Sequence, residues 1–269
     1  MITISVVLYK NTKEQIMKYI KMISPSKNSI EIVFVDNSPA PIYTNFEERY
    51  LVKYFFVNKN LGYGAGHNFA FKKRNKNNKY FIVSNLDINL SVKDLIHSVK
   101  YLSGEIFAIS PNFIGKGSKY PRFFPFTGSV ILRLIGRALK INFLVELVER
   151  NKLYVDSFRW IPIASGALIL MKSKTFLNIN GFNEKMWMYI EDWDLSRKLW
   201  NKGRILYNPN LRVNHHHTTS GIKSLKLSIS FLLNLILFKL KYQFPYDFQR
   251  SKIHKICKNQ ILEDKLFRQ

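Results

Sequence analysis

Asp87 and the adjacent pair Glu191-Asp192 are the residues whose types and settings best suit them to chemistry. Asp87 ends the triplet Asn85-Leu86-Asp87, directly after the β-rich run 80–84, so it belongs at the carboxyl end of an expected strand. Glu191 and Asp192 open an expected helix far along the chain. A site that must hold a divalent cation and also remove a proton needs carboxylates from separate segments meeting in one cleft. A carboxylate at a strand end suits a hard cation such as Mg2+ or Mn2+, which could bridge a diphosphate. At a helix start a carboxylate can accept the proton of an attacking hydroxyl, although acidic residues there also serve as caps that complement the helix dipole. Adjacent side chains point in different directions, so one of the two can orient while the other enters the cleft. Asp194 reads as a stabiliser of the first helical turn, with Arg197 as its partner. The combination points to transfer chemistry on a phosphate-bearing donor.

Two further motifs bear on that reading. Asn60-Leu61-Gly62-Tyr63-Gly64-Ala65-Gly66-His67-Asn68 follows a strand and opens a helix. Its glycines would let backbone approach a pyrophosphate at a helix N-terminus, or they simply form a tight turn. The spacing is neither the dinucleotide fingerprint nor a P-loop. In His215-His216-His217, alternate residues of an extended segment share a face, so His215 and His217 can face one way. One imidazole could complete a metal shell; a zinc site from these three alone is excluded because consecutive strand residues diverge.

The elements that must position these groups are short and alternate. Runs 2–8, 29–35, 52–57, 80–84 and 106–110 are rich in Val, Ile and Phe, as buried strands are, and 13–22 and 92–102 read as helices. This alternation predicts an α/β fold with a doubly wound, mostly parallel sheet, whose ligands lie beyond the carboxyl ends of its strands. Asp36 and Asp87 both fall at such ends. Pro111, Gly115, Gly117, Pro121 and Pro125 predict a loop, followed by a long amphipathic helix or two over 130–148. A strand over 164–171, a helix capped by Ser173 and ended by Asn180-Gly181, a helix over 192–202 and a strand over 204–207 complete the pattern. Residues 224–243 carry an apolar run flanked by lysines, too short to span a bilayer but able to lie in its interface or to pack as a core helix.

With 269 residues, the chain can bury one sizeable core plus an appendage: a unit over 1–222, with a donor half at 1–110 and an acceptor half at 111–222, and a basic helical extension over 223–269. One cysteine, Cys257, excludes an intramolecular disulfide framework, and the N-terminus reads as a buried strand rather than a secretory signal, so a cytoplasmic place is expected. The net charge of +24 attracts polyanions. The abundance of Lys, Asn, Ile and Phe makes compositional drift one reading of that charge; with no nucleic-acid recognition motif beside it, an anionic membrane surface or substrate is the functional one.

With these pieces in place, the chain resembles the inverting family-two nucleotide-sugar glycosyltransferases of the Rossmann-like A-type fold, and looks most like their bacterial rhamnosyltransferase-like branch. The resemblance covers residues 2–245 and rests on Val6-Val7-Leu8-Tyr9-Lys10, Val35-Asp36-Asn37-Ser38, the 60–68 motif, Asn85-Leu86-Asp87, Ser165-Gly166-Ala167, Gly181-Phe182-Asn183-Glu184 and the run 188–195. It implies that Asp36 and Tyr9 meet the nucleotide base and that Asn60, Gly62, Gly64, Gly66, Asn68 and Asn85 line the donor. Asp87, with His215 or His217, would hold Mg2+ or Mn2+. Asp192 would be the general base with Glu191 in support, and Ser165, Gly166 and Trp187 would lie on the acceptor side. The implied partners are a nucleoside-diphosphate sugar, a lipid-linked saccharide acceptor and the cytoplasmic membrane surface, in the synthesis of a cell-surface polysaccharide such as O-antigen or capsule. Galactosyl, glucosyl or N-acetylhexosaminyl transfer, or a non-catalytic sugar-nucleotide or polyanion binder, are the alternatives. Two departures stand out: the family's DxD element begins here with Asn85, and Asn183 replaces an acid near the acceptor side.

Overall fold

The computed structural model describes residues 1–24, 29–42, 51–115, 121–126, 128–130, 157–215, 225–243 and 246–259. Strands β1 (Ile2–Leu8), β2 (Ile30–Asp36), β3 (Val52–Phe56) and β4 (Tyr80–Ser84) form a parallel block in the order β3-β2-β1-β4. β2 is buried at every position and β1 almost so, which is why both read as unbroken apolar runs rather than alternating ones. Helix α1 (Lys13–Ile23) starts in a capping box between Thr12 and Gln15 and buries Ile16, Tyr19, Ile20 and Ile23. Helix α2 (Tyr63–Lys73) connects β3 to β4.

Beyond β4 the sheet becomes mixed. β8 (Leu168–Lys172) pairs antiparallel with both β4 and β6 (Ile106–Ile114), and β9 (Arg204–His215) runs parallel to β6. β5 (Ile88–Leu90) closes the edge antiparallel to β9, and the short β7 (Arg159–Trp160) also pairs with β9. The result is a nine-stranded α/β sheet of the expected Rossmann-like kind, flanked by helices on its faces and followed by C-terminal helices. Helices α3 (Val92–Ser98), α4 (Ser173–Asn178), α5 (Glu191–Trp200), α6 (Leu225–Tyr242) and α7 (Phe248–Asn259) complete the described elements.

Three local expectations need correction. β6 continues through Pro111, where a loop was expected; the register breaks between Pro111 and Asn112, so the missing N–H falls at an irregularity. β9 is 12 residues long and ends at His215, much further than the expected 204–207 strand. Ser173 does not cap α4; Lys172 holds that position and the Ser173 hydroxyl donates to the Asn78 carbonyl at 2.7 Å. The expected helix over 130–148 lies outside the described residues, apart from its first position.

Candidate active site

The pairing of β5 with β9 brings the first two sequence candidates together. Ile88 lies opposite His215 in that antiparallel ladder, which sets the preceding residue, Asp87, against the imidazole. Asp87 Oδ1 lies 3.1 Å from His215 Nε2, and Asn85 Nδ2 lies 3.4 Å from the same nitrogen. Burial opposes ionisation of Asp87, but the bond and charge of His215, a backbone N–H and Asn85 outweigh it, so its acidity is strengthened overall. A carboxylate oxygen and an imidazole nitrogen thus converge on one point. Among the described residues no group of three or more His, Cys, Asp or Glu side chains forms a ready-made cage. Two protein ligands nonetheless fit Mg2+ or Mn2+, which retain waters and take oxygens from substrate phosphates. His217 lies outside the described residues.

Tyr63, at the start of α2, joins this cluster to the acidic helix. Its hydroxyl donates to Asn85 Oδ1 at 3.1 Å and to the Gly166 carbonyl. The Gly166 N–H in turn donates to Asp192 Oδ2 at 3.3 Å. Burial, followed by the charges of Glu191, Asp192 and Asp87, holds the phenol well above its ordinary range, so it stays a donor. A continuous path therefore runs from Asp192 through Gly166, Tyr63, Asn85 and His215 to Asp87. The two carboxylates, distant in sequence, both lie close enough to act on the Tyr63 hydroxyl.

The acidic pair divides by environment. Glu191 is buried and its Oε2 has no hydrogen-bond partner among the described residues. Burial first, then the neighbouring Asp192, pushes its carboxyl up to about 8. Asp192 is only half-buried and reaches Gly166 at the cleft. Just before them, Tyr189 and Ile190 both have φ of 68°, a left-handed conformation that is rare for a β-branched residue and costs on the order of 1–3 kcal/mol. Helix α6 holds this turn. Asn234 Nδ2 donates to the carbonyls of Met188 and Tyr189 at 2.8 and 2.9 Å, and the Ser230 hydroxyl donates to Met188 at 3.1 Å. Asp194 is fully buried, but its partners are Lys241 at 2.6 Å, the Tyr242 hydroxyl at 3.0 Å and Lys198 at 3.5 Å. The expected partner, Arg197, pairs instead with Asp247 from the segment before α7.

The glycine motif serves packing as well as approach. Gly62 has φ of 89°, and a Cβ there would lie 2.2 Å from the Trp187 carbonyl, which also accepts the Tyr63 N–H at 2.9 Å. Trp187 Nε1 donates to the Asn60 carbonyl at 3.2 Å, and Asn60 Oδ1 accepts the Gly62 N–H at 3.0 Å. Trp187 and Asn60 therefore strap the glycine turn to the acidic segment. Gly64 and Gly66 let α2 approach Phe182 and Val7, where a Cβ would come within 2.8 and 2.6 Å. Asn68, expected to line the donor, is a staple: its amide bonds the Phe182 N–H, the Phe182 carbonyl and Glu184 Oε1. Asp36 is likewise turned inward. Fully buried, it accepts from the N–H groups of Ser38 and Ile42 and from Tyr54, and so it shapes the 37–42 loop. Tyr9 stands exposed beside that loop, with the Lys10 N–H donating to Ser38 Oγ at 2.7 Å. Ser165 and Gly166 lead into β8 beside Tyr63 and Asp192.

Sequence reasoning missed Tyr63 and Asn234. Tyr63 sat inside the glycine motif, where attention went to the small residues. The signal for Asn234 was a single amide within the apolar run 229–238, where a polar group needs a buried partner.

Known proteins resemble this chain in sequence and in fold. A family model described as the N-terminal domain of galactosyltransferase matches residues 157–219, the segment that carries Gly166, the acidic pair and His215. The rhamnosyltransferase WbbL of Escherichia coli is 23% identical over 219 residues, covering 76% of this chain and 80% of that protein. Among solved structures, GalNAc-T7 with UDP, GalNAc and Mn2+ superimposes with a TM-score of 0.65 at 16% identity, over 99% of this chain. A mannosyltransferase, PcManGT from Pyrobaculum calidifontis, in complex with GDP-Man and Mn2+, does so with a TM-score of 0.57 at 14% identity over 89% of the chain. The chain spans 53% of the first and 64% of the second of those structures. The chain therefore has the α/β fold of these sugar-transferring proteins and is similar in sequence to a rhamnosyltransferase.

Proposed function

We propose that the protein transfers a sugar, rhamnose in the first instance, from a nucleoside diphosphate to a hydroxyl of a lipid-linked saccharide, with inversion at the anomeric carbon. The observation that carries this reading is the hydrogen-bonded path linking Asp192 to Asp87 through Gly166, Tyr63, Asn85 and His215. Asp192 accepts the acceptor hydroxyl proton as the new C–O bond forms on the face opposite the leaving group. The bond from the anomeric carbon to the diphosphate breaks, and the nucleoside diphosphate departs. Burial and the neighbouring Asp192 raise the Glu191 carboxyl and disfavour its charged form, while Asp192 is the carboxylate of the pair that meets Gly166. Asp87 and His215 would hold a divalent cation, which supplies charge neutralisation for the departing diphosphate. Tyr9, Asn60 and the glycine turn are assigned to the donor side, and Ser165 and Trp187 to the acceptor side.

Two features support a lipid-linked acceptor at the cytoplasmic membrane face. Helix α6 exposes Leu225, Ile229, Leu232, Leu233, Ile236 and Leu240, beside Lys226, Lys239 and Lys241. No described helix is long and apolar enough to cross a membrane, so this face would lie along the interface. A cleft of about 620 Å³ opens beside it, lined by Lys185, Lys198, Lys241, Leu237 and Leu240 among others. Each lysine near an anionic leaflet adds about 1 kcal/mol of attraction. Such a surface suits a protein that builds a cell-surface polysaccharide on a lipid carrier.

The test is a thermal-shift panel of dTDP-, UDP- and GDP-sugars with and without Mn2+, followed by transfer measured with Asp192→Asn. One nucleotide sugar should stabilise the protein, more strongly with the cation. Asp192→Asn should fold, bind that donor and lose transfer by about 10²–10⁴-fold. Near-normal transfer by the folded variant would remove Asp192 from the mechanism. Flotation with anionic liposomes tests the surface: Leu232→Glu with Leu233→Glu should abolish binding, and a wild-type protein that stays in solution rejects the membrane reading.

A further inference from the structure

The polar residue that helix α6 buries beneath its exposed apolar face has no part in the proposed reaction as described so far. Asn234 is 3% exposed, in a run that reads Phe231-Leu232-Leu233-Asn234-Leu235-Ile236. A buried amide in apolar company is costly unless its donors are used. Both donors are used on consecutive carbonyls, Met188 and Tyr189, immediately before the left-handed pair Tyr189 and Ile190. Ile190 is the residue that caps α5, and it supplies no side-chain hydrogen bond to the helix start. What directs the first turn of α5 is therefore the conformation of this strained pair, and Asn234 is the side chain that grips its entry. Ring contacts of Tyr189 with Phe231 and of Trp193 with Phe238 keep α6 alongside the turn on both sides of that grip.

We infer that Asn234 is a positioning residue for the transfer reaction: by clamping the carbonyls of Met188 and Tyr189 it holds the strained turn that aims Asp192 at the acceptor hydroxyl. The inference rests on Asp192 acting as the base. A side chain outside the donor pocket then governs the chemical step without touching either substrate. It also makes α6 part of the catalytic apparatus rather than an appendage.

The experiment is a double-mutant cycle on release of nucleoside diphosphate from whichever nucleotide sugar gives the largest thermal shift, using the full chain with Mn2+. Asn234→Ala should lower kcat at least tenfold, with donor KM within about twofold and donor-induced thermal stabilisation retained. Asn234→Gln, which keeps the amide donors, should recover part of kcat. In an Asp192→Asn background, Asn234→Ala should cause no further loss, because the aim of an absent base no longer matters. Multiplicative losses, a raised KM at unchanged kcat, or an unchanged Asn234→Ala rate overturn the inference. If Asp192→Asn itself keeps full activity, the base assignment fails first, which is a distinct result from an inactive Asp192→Asn beside a fully active Asn234→Ala. Should Asn234→Ala not fold, Asn234→Ser keeps one donor and is read by the same cycle.

Discussion

Single atoms decide how the two carboxylates communicate, and Tyr63 carries the connection. Its one hydroxyl proton is shared between Asn85 and Gly166, so Tyr63→Phe removes both contacts and leaves a half-buried carbonyl short of a partner. We expect a stability loss of about 1–3 kcal/mol by chemical denaturation. Transfer should fall more than stability explains, because Asn85 and Gly166 lose their common tether; wild-type transfer by Tyr63→Phe would break the proposed path. Glu191 makes a second residue-scale test. Its carboxyl is pushed from 4.5 to about 8 by burial and by Asp192, so the native state binds more protons than the unfolded chain between those values. Its contribution to stability is complete below the unfolded value and is lost as pH rises through about 8. Glu191→Gln, which cannot ionise, should flatten the decline of melting temperature between pH 6.5 and pH 8.5; an unchanged slope would mean the carboxyl is not held neutral.

At the scale of elements, the site depends on three segments being held within contact distance: the glycine turn, the acidic helix and the β5–β9 edge. Gly62→Ala tests the first. The left-handed φ and the approach of the Trp187 carbonyl to 2.2 Å leave no room for a methyl group. Destabilisation of roughly 1–3 kcal/mol is expected, with weakened donor binding in the thermal-shift panel; a variant as stable as wild type would mean the turn relaxes freely. The sequence shows some of this more clearly than the rest. β1, β2 and β4 were legible because central parallel strands must be apolar on both faces, and Asp36 and Asp87 followed from their ends. The Asp87–His215 meeting was legible only through the family resemblance and not from local patterning, because it arises from a three-residue strand pairing with the far end of β9, past the point where local apolar patterning stops. The structural part that Asn68 plays was hidden for a related reason. Its position in a glycine-rich motif suggested ligand contact, whereas its amide is spent on the 182–184 turn, a partner distant in sequence. Local propensity places elements; long-range pairing decides which side chains are left for chemistry.

Across the whole molecule these titrations combine into one curve. His67 is enclosed between Ser5, Tyr63 and Phe182, with Nδ1 2.7 Å from the Ser5 hydroxyl, and burial lowers its imidazole to about 3. His254 accepts the Phe124 N–H at 3.0 Å and stacks on that ring; burial, then Arg250, Lys258 and Arg197, lowers it to about 3 as well. In the unfolded chain both recover the ordinary imidazole value of about 6.5, so between 6.5 and 3 the unfolded state binds more protons through them. Each imidazole then lowers stability as pH falls through that range, His254 less than His67 because its ring is partly exposed to solvent. Glu191 acts in the opposite sense from 4.5 to about 8, offsetting part of the histidine effect over the upper part of that range and contributing a decline above 6.5. The stability maximum should therefore fall near pH 6.5, with a shallow alkaline limb and an acid limb that steepens below about pH 4.5. The net charge of +24 adds self-repulsion that grows as carboxylates protonate, but that part is screened by salt and the histidine part is much less so. Denaturant titrations across pH 4–9 at low and high salt separate the two. His67→Gln with His254→Gln should remove most of the salt-resistant acid slope, whatever it does to absolute stability. If the acid limb vanishes in high salt with both histidines present, the buried imidazoles do not set the pH response and surface charge alone does.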